Sequence, residues 1–386
     1  MGNNTLKTIG FVGMIVVGAA SVFTPLVVVG LLALASAYNG TYLGDLTWLW
    51  AGLAGLSALL GAWFIVQGVR GLRGRPSSPF RLARPWAWVA LLALTVILIA
   101  ATPSDAPAAG LMKVLAALLP GMALLAFVSR RLAGADEPPT WRQVAAQVSA
   151  TLTVSLAWSV FWEILALVGL VLMVGIALAL LPDGAQQLEQ MGEQFSDPAF
   201  IASGEFLRQP AVLAFLLVLM AGFVPIIEEV GKLLAVGALA LAHRPSRAQA
   251  LAWGIAGGVT FSVYEAAFAD PFSGAVAGIA ILRVGAMLIH ASTAALTAWG
   301  LWEWLRRRRP GRFALGLALA VALHSTWNVL AIVAAALQTA AGSAWATGLM
   351  AAAFGLLSIG AGVVLAFALE PSRLVHVLHI ERGEDR

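Results

Sequence analysis

The chain has 386 residues, 60% of them hydrophobic and only 11% charged, with a mean hydropathy of +0.89. These values exclude a soluble globular domain and indicate an all-α, polytopic transmembrane helix bundle. The formal net charge is +4, yet the arginines fall in short runs between apolar segments, the pattern of topology signals, so nucleic acid is excluded as a partner. No cysteine is present, which removes disulfides, iron–sulfur clusters and thiolate zinc; any metal must be held by His, Asp, Glu or Asn.

The amino terminus, Met1-Gly2-Asn3-Asn4-Thr5-Leu6, lacks the hydroxyl residue that a myristoylation signal needs at its sixth position. Ala35-Ser36-Ala37 resembles a signal-peptidase site, but the apolar stretch before it is too long for a signal sequence and reads as an uncleaved first span. Counting about 20 apolar residues per crossing, spans are expected near 8–36, 47–69, 86–102, 110–128, 150–181, 211–243, 248–269, 275–304, 313–337 and 345–369. Lys and Arg alternate across that ten-span order as cytoplasmic loops require: Lys7, the Arg70–Arg84 group, Arg130 to Arg142, Arg244 with Arg247, Arg306 to Arg312, then the tail. Both termini are therefore expected to be cytoplasmic, with Asp45, Asp105, Asp270 and the acidic connection over 182–208 outside. The sixth span contains Pro225, which predicts a kinked helix or two half-helices within one crossing. Trp48, Trp50, Trp86, Trp88, Trp302 and Trp304 cluster near span ends as interfacial anchors. No internal repeat is evident. The simplest division is residues 1–207 for the N-terminal helices and the outer acidic loop, 208–338 for a four-helix core, and 339–386 for a closing helix and cytoplasmic tail.

That core holds ionisable groups inside apolar segments: Glu228 and Glu229 with Lys232, Phe261 with Glu265, Arg283 with His290, and His324 with Asn328. A charge at a bilayer centre costs about 2.5–3.5 kcal/mol, so such a cluster marks a site. Interhelical hydrogen bonds that only glue a bundle return about 0.6 kcal/mol each, too little to explain it. At about 1.5 Å rise per residue, Glu228, Glu229, His290 and His324 fall at one level, whereas Glu265 lies nearer the outer end of its helix, above the others or on an access path. Helical spacing puts Glu228 with Lys232, His324 with Asn328, and Arg283 with His290 on common faces. Gly254, Gly258, Phe261 and Glu265 form one stripe whose glycines permit close approach of a neighbouring helix.

These four motifs, Glu-Glu-x-x-Lys, Phe-x-x-x-Glu, a lone helical His and His-x-x-x-Asn, resemble in order and over about 120 residues those of the PrsW-type intramembrane proteases. That family belongs to a wider group with the CAAX prenyl endopeptidases and bacteriocin-processing relatives. CAAX-type members carry Arg where Lys232 stands and His where Glu265 stands, so the chain looks closer to the PrsW branch and prenylated substrates are not expected. The resemblance implies an endopeptidase of a prokaryotic cytoplasmic membrane that cleaves membrane-protein substrates, single-pass ones among them, within or beside their spans. Glu228, Glu229, His290, His324 and Asn328 are its expected catalytic residues, and Lys232, Phe261, Glu265 and Arg283 its expected supports.

Peptide hydrolysis needs an activated water, a stabilised oxyanion and a proton for the leaving amine. In one version Glu228 or Glu229, His290, His324 and in some arrangements Glu265 hold a divalent ion such as zinc; with Glu229, His290 and His324 as ligands, Glu228 is left as base. In the other, Glu228 activates water directly while His290, His324 and Asn328 orient it. Lys232 is expected to neutralise a neighbouring carboxylate and Arg283 to support Glu265 or snorkel to the interface. The alternative function is a proton- or cation-coupled transporter built on the same midplane groups. Glu163, a lone carboxylate in the fifth span, is expected to join the site, pair with Arg283 or meet a local backbone group.

Overall fold

The computed structural model describes residues 3–39, 44–101, 107–268, 276–341 and 344–369, and among these the chain is helical with no strand. Helices α1 (Asn3–Asn39) and α2 (Gly44–Leu72) form a hairpin, and α3 (Pro85–Ala101) and α4 (Pro107–Arg131) a second one laid against α2. Helix α5 (Trp141–Ala150) runs through a wide π-type turn at Thr151–Ser155 into α6 (Leu156–Ala179). The acidic connection contains α7 (Gly184–Ser196), α8 (Pro198–Ser203) and a 3₁₀ turn at Glu205–Arg208. Helix α9 (Pro210–Leu216) leads through a second π-type turn, Leu217–Phe223, into α10 (Val224–Ala242). Then follow α11 (Arg247–Phe268), α12 (Val276–Arg307), α13 (Pro310–Ala341) and α14 (Ala344–Ala368).

Each of the ten apolar segments coincides with a helix. Seven helices among the described residues are long and apolar enough to cross a membrane, and two more, Pro85–Leu98 and Ala351–Ala366, are shorter apolar helices. The tenth segment is α11. Its residues Ala250 to Val259 are all buried by other helices, so glycine and alanine replace the bulky apolar residues a lipid-facing helix needs. Lipid-facing helices show the opposite pattern: Phe161, Leu172, Ile176 and Leu180 of the α6 region are all more than half exposed.

Three boundaries differ from the apolar count for physical reasons. The fifth segment starts at Trp141 rather than 150, because a capping box between Thr140 and Gln143 begins a polar first turn that hydropathy does not register. The 182–208 connection is helical rather than an open loop, closed by Phe195, Phe200 and Phe206, whose rings lie 5.8–6.5 Å apart. Pro225 breaks nothing: the helix runs continuously over Pro210–Ala242, and the wide turn just before the proline absorbs the ring and the missing N–H. The tail expected to be cytoplasmic, with His376, His379 and Arg373, and the residues Asp105 and Asp270 expected outside lie beyond the described residues.

The main core joins α1, α2, α4, α5, α11, α12 and α14 through residues such as Met14, Phe64, Leu125, Val148, Ile255, Met287 and Leu365. Helices α11 and α12 pack along their length because Gly254 and Gly258 bring the backbones together. A Cβ at Gly254 would run into the carbonyl of Ala294, and one at Gly258 into that of His290. This close approach sets the position of the only histidine on α12.

Candidate active site

Four helices deliver the polar groups. Glu228, Glu229 and Lys232 come from α10, Phe261 and Glu265 from α11, His290 from α12 and His324 from α13, with α6 against the back of α10. Glu228, Glu229, Lys232, His290 and His324 are all buried, with 5% exposure or less.

Lys232 is the hub. Its ammonium donates to Glu229 Oε1 at 2.7 Å and to His290 Nδ1 at 2.8 Å, lies 3.5 Å from Glu228 Oε2, and sits 4.7 Å above the centre of the Phe261 ring. An ammonium has protons only to give, so His290 Nδ1 accepts and its Nε2 carries the ring proton. That proton goes to Glu265 Oε2 at 2.8 Å. On the other imidazole, His324 Nδ1 donates to Glu229 Oε1 at 3.0 Å, which leaves Nε2 with a free lone pair.

The two rings stand edge to face at 4.9 Å, and each turns its other nitrogen toward Glu228. His290 Nδ1 and His324 Nε2 are both 3.8 Å from Glu228 Oε2. That oxygen is buried and has no hydrogen-bond partner. A separation of 3.8 Å is too long for a hydrogen bond and suits one intervening atom. One ligand atom from each of Glu228, His290 and His324 falls within 4.8 Å of the others. This donor set fits a divalent ion of the zinc type: two imidazoles each anchored by a carboxylate on the far nitrogen, and one unpartnered carboxylate oxygen between them. An ion held at His290 Nδ1 would take the place of the Lys232 hydrogen bond there.

The structure thus distributes the expected residues unevenly. Glu229, expected among the ligands, instead braces Lys232 and His324, and Glu228 is the carboxylate that faces both rings. Glu265 joins the cluster through His290 while 45% of its side chain remains exposed, so it stands at the open side of the site. Phe261 packs on both Lys232 and His290, its ring 5.6 Å from the imidazole. Asn328 is directed elsewhere: its Nδ2 donates to the carbonyl of Met220 at 2.6 Å, inside the π-type turn that precedes α10. Arg283 is half-buried two turns from His290, and among the described residues no carboxylate lies within 4.0 Å of it.

Of the α6 region only Glu163 was expected at the site; the anchoring contacts of Ser155 and Trp158 were not foreseen. Ser155 Oγ donates to the Gly231 carbonyl at 2.7 Å and Trp158 Nε1 to that of Ile227 at 3.1 Å, pinning α6 to the turn that carries Glu228 and Glu229. Ser155, Ser159 and Glu163 recur every four residues, so Glu163 continues the face that touches α10. That polar stripe in an apolar helix was the available signal. An unforeseen carboxylate, Glu303, is 2% exposed at the arginine-rich end, where it meets Arg312 at 3.1 Å, Arg307 at 3.4 Å and Arg309 at 3.8 Å. It gives a packing role to arginines whose run otherwise reads as a topology signal.

No curated protein and no solved structure matches the chain. Residues 152–359 match the family described as "PrsW family intramembrane metalloprotease". The match starts at the turn before α6, takes in the whole polar cluster and ends inside α14, so it covers more than half of the sequence. With an all-helical apolar bundle around a buried Glu/His/His centre, the chain belongs to the PrsW family of intramembrane metalloproteases.

Proposed function

We propose that the reaction centre is the space between Glu228 Oε2, His290 Nδ1 and His324 Nε2, and that these three residues hold a divalent ion there. The observation that carries this reading is the buried Glu228 oxygen that accepts no hydrogen bond, with an imidazole nitrogen 3.8 Å away on either side. A bound ion would polarise the scissile carbonyl and make a water nucleophilic at neutral pH. Glu229 and Glu265 fix the tautomers and orientations of the two rings by accepting their distal protons. Lys232 keeps Glu229 and Glu228 from facing each other uncompensated. Glu265, partly exposed, is placed to take up and return protons between the centre and water.

The Lys232–His290 hydrogen bond favours a second reading without a metal. There, Glu228 Oε2 accepts a proton from a water held between the rings, and the Lys232 ammonium supplies the positive charge. Both readings use the same atoms.

The substrate is a membrane protein in the bilayer, as the family implies; we further assign single-pass proteins cut within or beside their span, a ten-span order with both termini cytoplasmic, and a prokaryotic cytoplasmic membrane. The transporter alternative has no feature in its favour once the family is known.

The test is cleavage of a panel of tagged membrane substrates by wild type and by Glu228→Gln, Glu229→Gln, His290→Ala and His324→Ala, each checked for insertion. Glu228→Gln and the histidine variants are expected to lose at least about 10³-fold in rate, and Glu229→Gln about 10–100-fold because it acts through His324. Wild-type processing by all four, normally inserted, would sink the assignment.

A further inference from the structure

Two cavities of about 270 and 280 Å³ adjoin at Ser77, at the arginine-rich end of the bundle that the charge alternation assigns to the cytoplasm. One is lined by Gln67, Arg70, Ser77, Ser78 and Trp141. The other is lined chiefly by Lys7, Phe11, Arg142, Gln143 and His243. Four elements meet there: the α1–α2 hairpin, the connection after α2, the first turn of α5 and the end of α10. Each cavity holds the volume of about nine waters at ~30 Å³ apiece, enough for a phosphate group.

The chemistry of the lining is one-sided. Lys7, Arg70, Arg142 and His243 contribute basic groups, and neither lining contains a carboxylate. Among the described residues neither Lys7 nor Arg70 has an acidic partner within 4.0 Å. Arg142 is held ready rather than neutralised. Its backbone N–H donates to Ser77 Oγ at 3.1 Å, its guanidinium donates to the Arg75 carbonyl and lies 5.4 Å over the Phe11 ring, and its Nε is buried with no hydrogen-bond partner. Ser77 accepts from Arg142 and so keeps its own proton to donate. Cations crowded around a cavity without a counter-charge repel one another, and a tetrahedral oxyanion is the ligand that a guanidinium fork, an ammonium and hydroxyl protons complement.

We propose that the paired cavities are a binding site for a phosphate group, and that its occupant clamps the α1–α2 hairpin onto α5 and α10. The hairpin lies outside the segment that matches the family, whereas α10 carries Glu228 and Glu229, so the site ties the N-terminal hairpin to the helix that bears both carboxylates. Two sources supply the same chemistry: the phosphodiester of an anionic lipid headgroup at this depth, and free phosphate from the aqueous phase.

The experiment measures thermal unfolding of the full-length protein in phospholipid-free detergent. One arm adds inorganic phosphate against sodium chloride of equal ionic strength, and the other adds phosphatidylglycerol against an uncharged detergent-like diacylglycerol. The unfolding temperature is expected to rise in at least one arm, and the arm identifies the source. Lys7→Gln with Arg70→Gln should abolish the rise without lowering the ligand-free unfolding temperature, since like charges are removed. Arg142→Lys, which keeps the charge and loses the fork, should weaken the apparent affinity about tenfold. No response of wild type to either probe, or an equal response in wild type and the charge-removal variants, overturns the proposal. None of these readouts depends on proteolysis, so the site stands or falls separately from the reaction centre.

Discussion

Gly258→Ala tests whether the approach of α11 to α12 is what positions His290. A Cβ built at Gly258 would lie 2.8 Å from the Cα of Ala291 and nearer still to the His290 carbonyl, whereas ordinary contact begins at 3.4 Å. The opposing atoms are backbone and cannot rotate away, so the helices must part by at least about 0.6 Å. Alanine is better than glycine in a helix by about 1 kcal/mol, but overpacking against a rigid neighbour costs about 1–3 kcal/mol, so the variant should be less stable. The functional effect is larger. His290 is fixed by two hydrogen bonds of 2.8 Å, to Lys232 and to Glu265, and stretching either by that displacement takes it beyond the usual limit of about 3.2 Å. A misplacement of order 1 Å in a reacting group costs about 10²-fold, so a fall of at least tenfold in cleavage rate is expected. Gly237→Ala is the matched control, the same substitution in α10 with nothing within 4 Å of the new Cβ. Cleavage of a tagged substrate and thermal unfolding of the purified proteins decide the matter. If Gly258→Ala matches wild type in both, the close approach does not set the site.

Lys232→Met removes the only cation among Glu228, Glu229 and His290 and should cost about 3–5 kcal/mol of stability, read as a lower unfolding temperature together with lost cleavage. Asn328→Leu leaves the Met220 carbonyl without its partner and should cost about 1–3 kcal/mol while reducing cleavage less than tenfold; a loss near that of Glu228→Gln would return Asn328 to the reaction itself. Chelation of the purified protein should remove one equivalent of metal, lower the unfolding temperature and stop cleavage, with zinc re-addition restoring all three; stripped protein that is unchanged in stability and rate would favour the metal-free reading.

Depth and order of the polar groups were legible because the rise of a helix and the length of a span leave little freedom along the membrane normal. Rotation about each helix axis was not. Glu228 and Glu229 are adjacent in sequence and about 100° apart around α10, so which of them faces the histidines depends on how α6 and Gly231 seat the helix. Ser155 and Trp158 make that choice through backbone carbonyls of α10, contacts to which no hydropathy pattern points. Asn328 shows the same limit. Its one-turn spacing from His324 placed it on the catalytic face, but the wide turn before Pro225 leaves the Met220 carbonyl open to accept, and that acceptor draws the nearest amide. Glu303 was hidden just before an arginine run that topology already explained.

Charge balance connects these particulars. Taken at their ordinary charges, Glu228, Glu229 and Glu265 against Lys232 leave a residue of two negative charges. Each uncompensated charge at this depth costs about 2.5–3.5 kcal/mol. One divalent cation removes both at a stroke, and so do two protons. The two solutions differ in where the compensation must sit. Protons can be shared anywhere along the carboxylates, whereas a cation needs converging lone pairs, and those of Glu228 Oε2 and His324 Nε2 converge with no hydrogen-bond partner between them. Anchoring carboxylates on the far nitrogens hold both imidazoles in fixed tautomers, which an ion requires of its ligands and which a ring that exchanges one proton with a water also uses. The convergence on Glu228 Oε2 is therefore what favours the metal reading, while Glu229 and Glu265 prepare the two rings for either chemistry without touching the centre.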